Sequence, residues 1–151
     1  MKISFKNIKN KINLFLKNIN KKTNTNKKIT LITQFFPPDF AATGQLLDEL
    51  TEQISLRKPV FFEIFTGMPF YAFKKNIKTP KIVLEKNRFI KRISAYKCFG
   101  NSIFGKTINS LVFCLKIIFI LLGKFIIRSN ADLLIYTSQP PFLPFIGWII
   151  Y

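Results

Sequence analysis

An α/β fold, a doubly wound sheet of parallel strands, is the class this sequence predicts, and three observations carry it. Apolar runs at 28–35, 59–65 and 132–137 alternate with longer segments of helical periodicity. The runs are almost unbroken in apolar residues, as strands covered on both faces require. Strands that alternate with helices pair in parallel through crossovers. The third observation is the junction after the first run. Phe36-Pro37-Pro38-Asp39 is a Pro-rich loop, and Ala41-Ala42-Thr43-Gly44 is a small-residue turn into the first helix. Strand, loop and helix in that order make the first βα unit of a Rossmann-like sheet, in which ligands bind beyond the carboxyl ends of the strands.

Residues 1–28 carry nine lysines and no acid. Ile8, Ile12, Phe15, Leu16 and Ile19 recur at helical spacing, and no uncharged apolar core of signal-peptide length follows the first lysines. Residues 1–27 therefore form a basic N-terminal extension, either an amphipathic helix on an anionic membrane or a solvated tail. Residues 28–151 form the sheet domain.

The spacing predicts a helix over Gln45–Ser55, with Leu46, Leu47, Leu50 and Ile54 as its buried stripe. Asp48, Glu49 and Glu52 face water near its start, where the helix dipole favours acids. The second strand, Pro59–Phe65, has Pro59 at its entrance, where no ladder donor is needed. Thr66–Thr79 is a long loop. Lys81–Lys86 and Phe89–Tyr96 are extended runs about a turn at Asn87-Arg88. Ile108–Ile127 is about long enough to span a bilayer. Lys116 and Lys124 interrupt it, each costing roughly 2–3 kcal/mol near a bilayer centre. A crossover helix with its lysines turned outward avoids that cost. Asp132–Thr137 is the next strand, ended by Pro140-Pro141.

The net charge is +17, on a composition heavy in Lys, Asn, Ile and Phe. A balance this basic attracts anionic surfaces. Lipid headgroups fit better than nucleic acid, because the chain carries no recognisable nucleic-acid-binding module. Cys98 and Cys114 are the only cysteines, and there is no His. Neither thiol has metal-ligand spacing, so no metal site is expected. Two unpaired thiols suit a reducing cytoplasm, and Cys114 belongs to the core side of an apolar helix.

Three segments together resemble the N-terminal domain of the family-4 glycosyltransferases, in particular bacterial members that build exopolysaccharide, capsule or O-antigen. They are Gln34-Phe35-Phe36-Pro37-Pro38-Asp39 with Ala42-Thr43-Gly44-Gln45, then Thr66-Gly67-Met68-Pro69-Phe70-Tyr71, then Thr137-Ser138-Gln139-Pro140-Pro141-Phe142-Leu143 with Gly147-Trp148. The resemblance implies the GT-B fold, two Rossmann-like domains facing each other across a cleft. This chain would be the truncated N-terminal, acceptor-side part, ending at Ile149-Ile150-Tyr151 within an apolar helix. The implied reaction moves a sugar from a nucleotide-sugar donor to a lipid-linked or saccharide acceptor in cell-surface polysaccharide biosynthesis. The implied location is cytoplasmic, peripheral at the inner face of the plasma membrane. No cofactor is implied; the nucleotide sugar is a substrate. The family's C-terminal donor domain, with its E-x7-E signature, is the missing partner, and without it the chain alone should transfer no sugar.

If the strands are parallel, the three loops share one edge of the sheet. Thr43, Gly44 and Gln45 are the first candidates for contact with a phosphate or sugar, and Gly44 serves equally as a turn into the helix without a ligand. Asp39 holds an acceptor hydroxyl or forms a turn. Gly67, Met68, Tyr71 and Ser138 line the cleft. No residue qualifies as a catalytic base. The competing class is a small membrane-associated or membrane-anchored protein without enzymatic activity, with Ile108–Ile127 as its anchor.

Overall fold

In the computed structural model, residues 27–69, 79–85, 87–94, 103–126 and 131–150 are described. Residues 1–26 of the basic extension 1–27 lie outside them, as do Tyr71 and Cys98; Lys27 belongs to the first strand. The elements run β1 (Lys27–Thr33), α1 (Ala42–Arg57), β2 (Val60–Gly67), β3 (Ile82–Leu84), β4 (Arg88–Ile93), α2 (Ile103–Ile126), β5 (Leu133–Tyr136) and α3 (Leu143–Ile150). The strands form one mixed sheet in the order β3-β4-β2-β1-β5. β1 pairs in parallel with β2 and with β5, and β2 pairs in parallel with β4. Only β3 is antiparallel, to β4, across the expected turn at Asn87. The result is an α/β, mostly parallel sheet compatible with a Rossmann-like fold.

Alternation along the strands sorts the core into two layers. Leu31, Phe62, Ile64 and Ile90 point to one face, where Leu47 and Ile54 of α1 cover them. Ile32, Phe65 and Ile93 point to the other, under Phe113, Cys114, Ile117 and Leu121 of α2 and Leu143 and Ile146 of α3. Helices on both faces make the sheet doubly wound. Burial pushes the Cys114 thiol above its ordinary pKa, so it is a poor nucleophile at neutral pH.

α1 corrects two expectations. Leu46 and Leu50 are 66% and 50% exposed, so they are not part of the buried stripe. The stripe is Gly44, Leu47, Thr51 and Ile54, which places two small residues where the helix meets the sheet. Thr51 tolerates burial because its hydroxyl donates to the Asp48 carbonyl at 3.0 Å. The helix also starts three residues early, at Ala42, which leaves no acid in its first turn. Asp48 turns sideways instead and accepts from the buried Arg88 at 2.8 Å. Burial raises the Asp48 pKa, and the Arg88 charge opposes that rise.

α2 corrects a third. Lys116 and Lys124 turn inward. The Lys124 ammonium pairs with Glu63 of β2 and sits 4.9 Å from the centre of the Phe65 ring. Lys116 donates to the Ser94 carbonyl. The outward surface of the helix is apolar in their place, with Leu115, Phe119 and Leu122 exposed.

Gly67 closes β2 against β1. Its N–H donates to the Gln34 carbonyl at 3.1 Å, and a Cβ there would stand 2.7 Å from that same oxygen. Backbone cannot yield as a side-chain tip can. Gly67→Ala is expected to cost about 1–3 kcal/mol through this overlap. A thermal melt checks it: an unchanged Tm would mean that the two strand ends part freely.

Candidate functional site

The direction of the strands builds the site. β1, β2, β4 and β5 all run one way, so the segments after each of them emerge at one edge. The chain leaves β1 through α1 on one face and reaches β5 through α2 on the other. The strand order therefore reverses between β1 and β5. At such a switch point the connections diverge and leave a crevice, the usual ligand position in open α/β sheets.

The two strand ends that flank the reversal are joined by hydrogen bonds. Thr137 N–H donates to the Ile32 carbonyl at 3.1 Å, and the hydroxyls of Thr137 and Thr33 approach at 3.5 Å. Thr33 donates to the Phe35 carbonyl at 3.0 Å, and Thr137 donates to the Gln139 carbonyl at 2.9 Å. Each threonine thus folds the first residues of its own loop back over the strand end. The bonds Pro37-Pro38 and Gln139-Pro140 are both cis, one in each of these loops. The β2 side is closed by Gly67 on Gln34 and by Met68 N–H on the Ile93 carbonyl at 3.2 Å. Gln34 also donates from Nε2 to the Ser110 hydroxyl on α2 at 3.3 Å, tying the first loop to the second helix.

The proposed contact residues divide by exposure. Thr43 and Gln45 are exposed on the first turn of α1, and Ser138 is exposed after β5. Gly67 and Met68 are half-buried beside Gln34. Gly44 is buried, and a Cβ there would lie 3.1 Å from the Phe35 carbonyl carbon and oxygen. Close packing of α1 on the β1 loop accounts for that glycine without a ligand. Asp39 is 2% exposed, and its N–H donates to the Phe36 carbonyl at 3.1 Å. The start of α1 has no side-chain cap at Ala41. Its first N–H groups lack intrahelical acceptors, and they face the crevice end of the sheet.

One residue at this edge carried no signal in the sequence. Arg92, buried on β4, donates to the carbonyl of Pro37 at 2.6 Å and to that of Pro80 at 3.0 Å. It clamps the Pro-rich loop to the segment before β3. Burial pulls its pKa below the usual guanidinium range, though it stays charged at any physiological pH. A lone Arg in a strand resembles any other surface cation until the register sets it beneath the β1 loop. Thr137 opens the third resembling segment and Thr33 ends β1, but neither stands out in the sequence as a site residue. Among the described residues no group of three or more Cys, Asp or Glu could hold a metal.

Comparison with protein-family models, with characterised proteins and with solved structures yields no match to this chain.

Proposed function

We propose that this chain provides the acceptor side of a glycosyltransferase of GT-B type. The enzyme would move a sugar from a nucleotide-sugar donor to a lipid-linked or saccharide acceptor in the making of a cell-surface polysaccharide, at the cytoplasmic surface of the inner membrane. The observation that carries the reading is that the segments after β1, β2 and β5 emerge at one edge of the sheet, the first and last of them flanking the β1/β5 reversal. They are the same three loops whose residues resemble the family-4 enzymes. In this reading the hydroxyls and amides of Thr43, Gln45 and Ser138 hold sugar hydroxyls or a phosphate. Gly44, Gly67, Asp39 and Arg92 hold the loops in place, and Met68 borders the cleft. The contacts that neutralise the donor diphosphate belong to a donor domain, which is the partner the reading requires.

Saturation-transfer NMR on the chain tests it, with three probes: a short-chain polyprenyl-phosphate disaccharide, a nucleoside diphosphate sugar, and the nucleoside diphosphate alone. The acceptor analogue is expected to receive signal, and Ser138→Val with Gln45→Leu to weaken it. Signal on the nucleotide probes with none on the acceptor analogue would contradict the acceptor-side assignment. Turnover of any nucleotide sugar by the purified 151-residue chain above a heat-killed control would contradict the need for a donor domain.

A second reading draws on α2. Its segment Thr107–Ile126 is long and apolar enough to cross a membrane, and only 22% of it is buried. A membrane-associated protein without enzymatic activity would use it as an anchor. Carbonate washing separates the two: it strips a surface-bound sheet domain and leaves a spanning helix in the membrane.

A further inference from the structure

α2 is built the wrong way round for a helix that faces water. Its two inward lysines are spent on the sheet: Lys124 on Glu63, Lys116 on the Ser94 carbonyl. Its outward positions are Phe104, Leu111, Leu115, Phe119, Leu122 and Ile126, all exposed. Their spacing of seven, four, four, three and four residues keeps them in one stripe along the helix. α3 packs alongside and extends the stripe with Phe145 and with Trp148, which is 82% exposed. A contiguous apolar surface of this kind marks a contact with something apolar.

Charge identifies what that something is. The chain has seven acids. Asp48, Glu49 and Glu52 ride on α1, and Glu85 pairs with Arg88 beside it. All four lie on the α1 side of the sheet. Glu63, beneath α2, is consumed by Lys28 and Lys124. α2 and α3 contain no acid at all. Asp39 is buried, and Asp132, exposed before β5, accepts from the Lys28 N–H. The exposed ridge of α2 and α3 therefore carries no carboxylate of its own, and four of the seven acids lie on the side facing away. An anionic bilayer complements that distribution, because its headgroups attract the cations and meet no carboxylate across the contact. A second copy does not, because it would bring another +17 to the same contact.

We infer that the outer ridge of α2 and α3 seats in the interfacial layer of an anionic lipid bilayer, with α2 lying in the membrane plane. In this seating α2 does not cross the bilayer, unlike the anchor of the second reading, because its other side packs along the sheet through Phe113, Ile117 and Leu121. Its 24 residues give a ridge of about 36 Å at 1.5 Å per residue. Trp148 and the phenylalanines belong at the level where an apolar ring meets headgroups. The strands then run alongside the bilayer, and the β1/β5 crevice opens parallel to its surface. This inference deepens the membrane-surface part of the proposed function: a lipid-linked acceptor would reach the crevice without leaving the bilayer.

Trp148 is the single tryptophan of the chain and reports its own surroundings. The test adds the full chain to vesicles of phosphatidylcholine, alone or mixed with phosphatidylglycerol, containing lipids brominated near the headgroup end of the acyl chain. With the anionic vesicles, Trp148 emission is expected to shift to the blue and be quenched. Leu115→Glu with Phe119→Glu should weaken vesicle binding by more than about tenfold, because carboxylates are placed on the lipid-facing surface. Leu46→Glu with Leu50→Glu, on α1, should leave binding unchanged. If the chain binds vesicles but Trp148 stays in water, the contact lies elsewhere; the inference fails and the membrane-surface reading survives. If no vesicle is bound, both fail. A concentration-dependent dimer abolished by Phe119→Glu would give the ridge to a second copy and overturn the inference. The wild-type quenching decides the matter even if a variant fails to fold. None of these outcomes depends on sugar transfer.

Discussion

Phe65→Ala is expected to lower stability by about 3–5 kcal/mol, the usual loss for an aromatic ring removed from a packed core. Phe119→Ala, in water, is expected to change it by no more than about 0.5 kcal/mol. The two side chains are chemically identical and differ only in which side of α2 they meet. Phe65 is 2% exposed, packed among Ile32, Ile93, Phe113 and Ile117, with the Lys124 ammonium over its ring. Phe119 is 73% exposed. A domain of this size has roughly 5–15 kcal/mol in total, so the first substitution removes a large share of it. Chemical denaturation of both variants measures the contrast. Equal losses at the two positions would mean that the outer side of α2 is buried in solution, and the inward-facing arrangement of its lysines would be wrong.

Glu63→Gln is expected to cost about 2–4 kcal/mol. Its carboxylate meets Lys28 at 3.2 Å and pairs with Lys124, and the three side chains are 12%, 23% and 17% exposed. Removing one member of such a group leaves cations without compensation in a poorly solvated layer. Lys91 on the neighbouring strand adds to the repulsion at Lys124. The double variant Glu63→Gln with Lys124→Met should recover much of the loss, because an apolar side chain needs no partner there. The pH dependence has a definite sign. Burial, the largest effect, holds the Lys124 pKa below the ordinary lysine range, and Glu63 opposes it. Between the depressed value and the ordinary one, the unfolded chain binds more protons than the folded chain. Stability from this group therefore rises with pH across that alkaline window. In Glu63→Gln the opposing charge is gone, the Lys124 pKa falls further, and the rise begins at lower pH. Urea midpoints for variant and wild type from neutral pH upward would show their gap narrowing. A gap that widened with pH would contradict the burial of Lys124.

β1, β2 and β5 were legible because each holds a largely apolar run, and their parallel pairing followed from the helical segments between them. The register adds what the runs could not, placing β5 beside β1 rather than beside β4. α1 shows where pattern fails. Leu46, Leu47, Leu50 and Ile54 look like a stripe, but hydrophobicity does not measure how closely a helix can approach a sheet. Gly44 and Thr51 allow the close approach and so decide which side turns inward. α2 failed for another reason. Lysines in an apolar helix normally point to water, and the acid that draws Lys124 inward is 61 residues earlier in the chain. No local window contains both. Of the candidate site, the three loops were readable from strand order. The clamp by Arg92 was not, because its partners are backbone carbonyls of segments distant in sequence.

The central claim is that the carboxyl edge of the sheet, at the β1/β5 reversal, receives a saccharide acceptor. The most direct measurement is photo-crosslinking of the chain with a short-chain polyprenyl-phosphate disaccharide carrying a photoreactive group on its terminal sugar, followed by peptide mapping. The account predicts labels within 34–45 and 137–142, displaced by excess unlabelled acceptor analogue. Displaceable labels confined to the opposite edge, at Lys58-Pro59 or Ala131-Asp132, would contradict it, as would labelling that the competitor leaves unchanged.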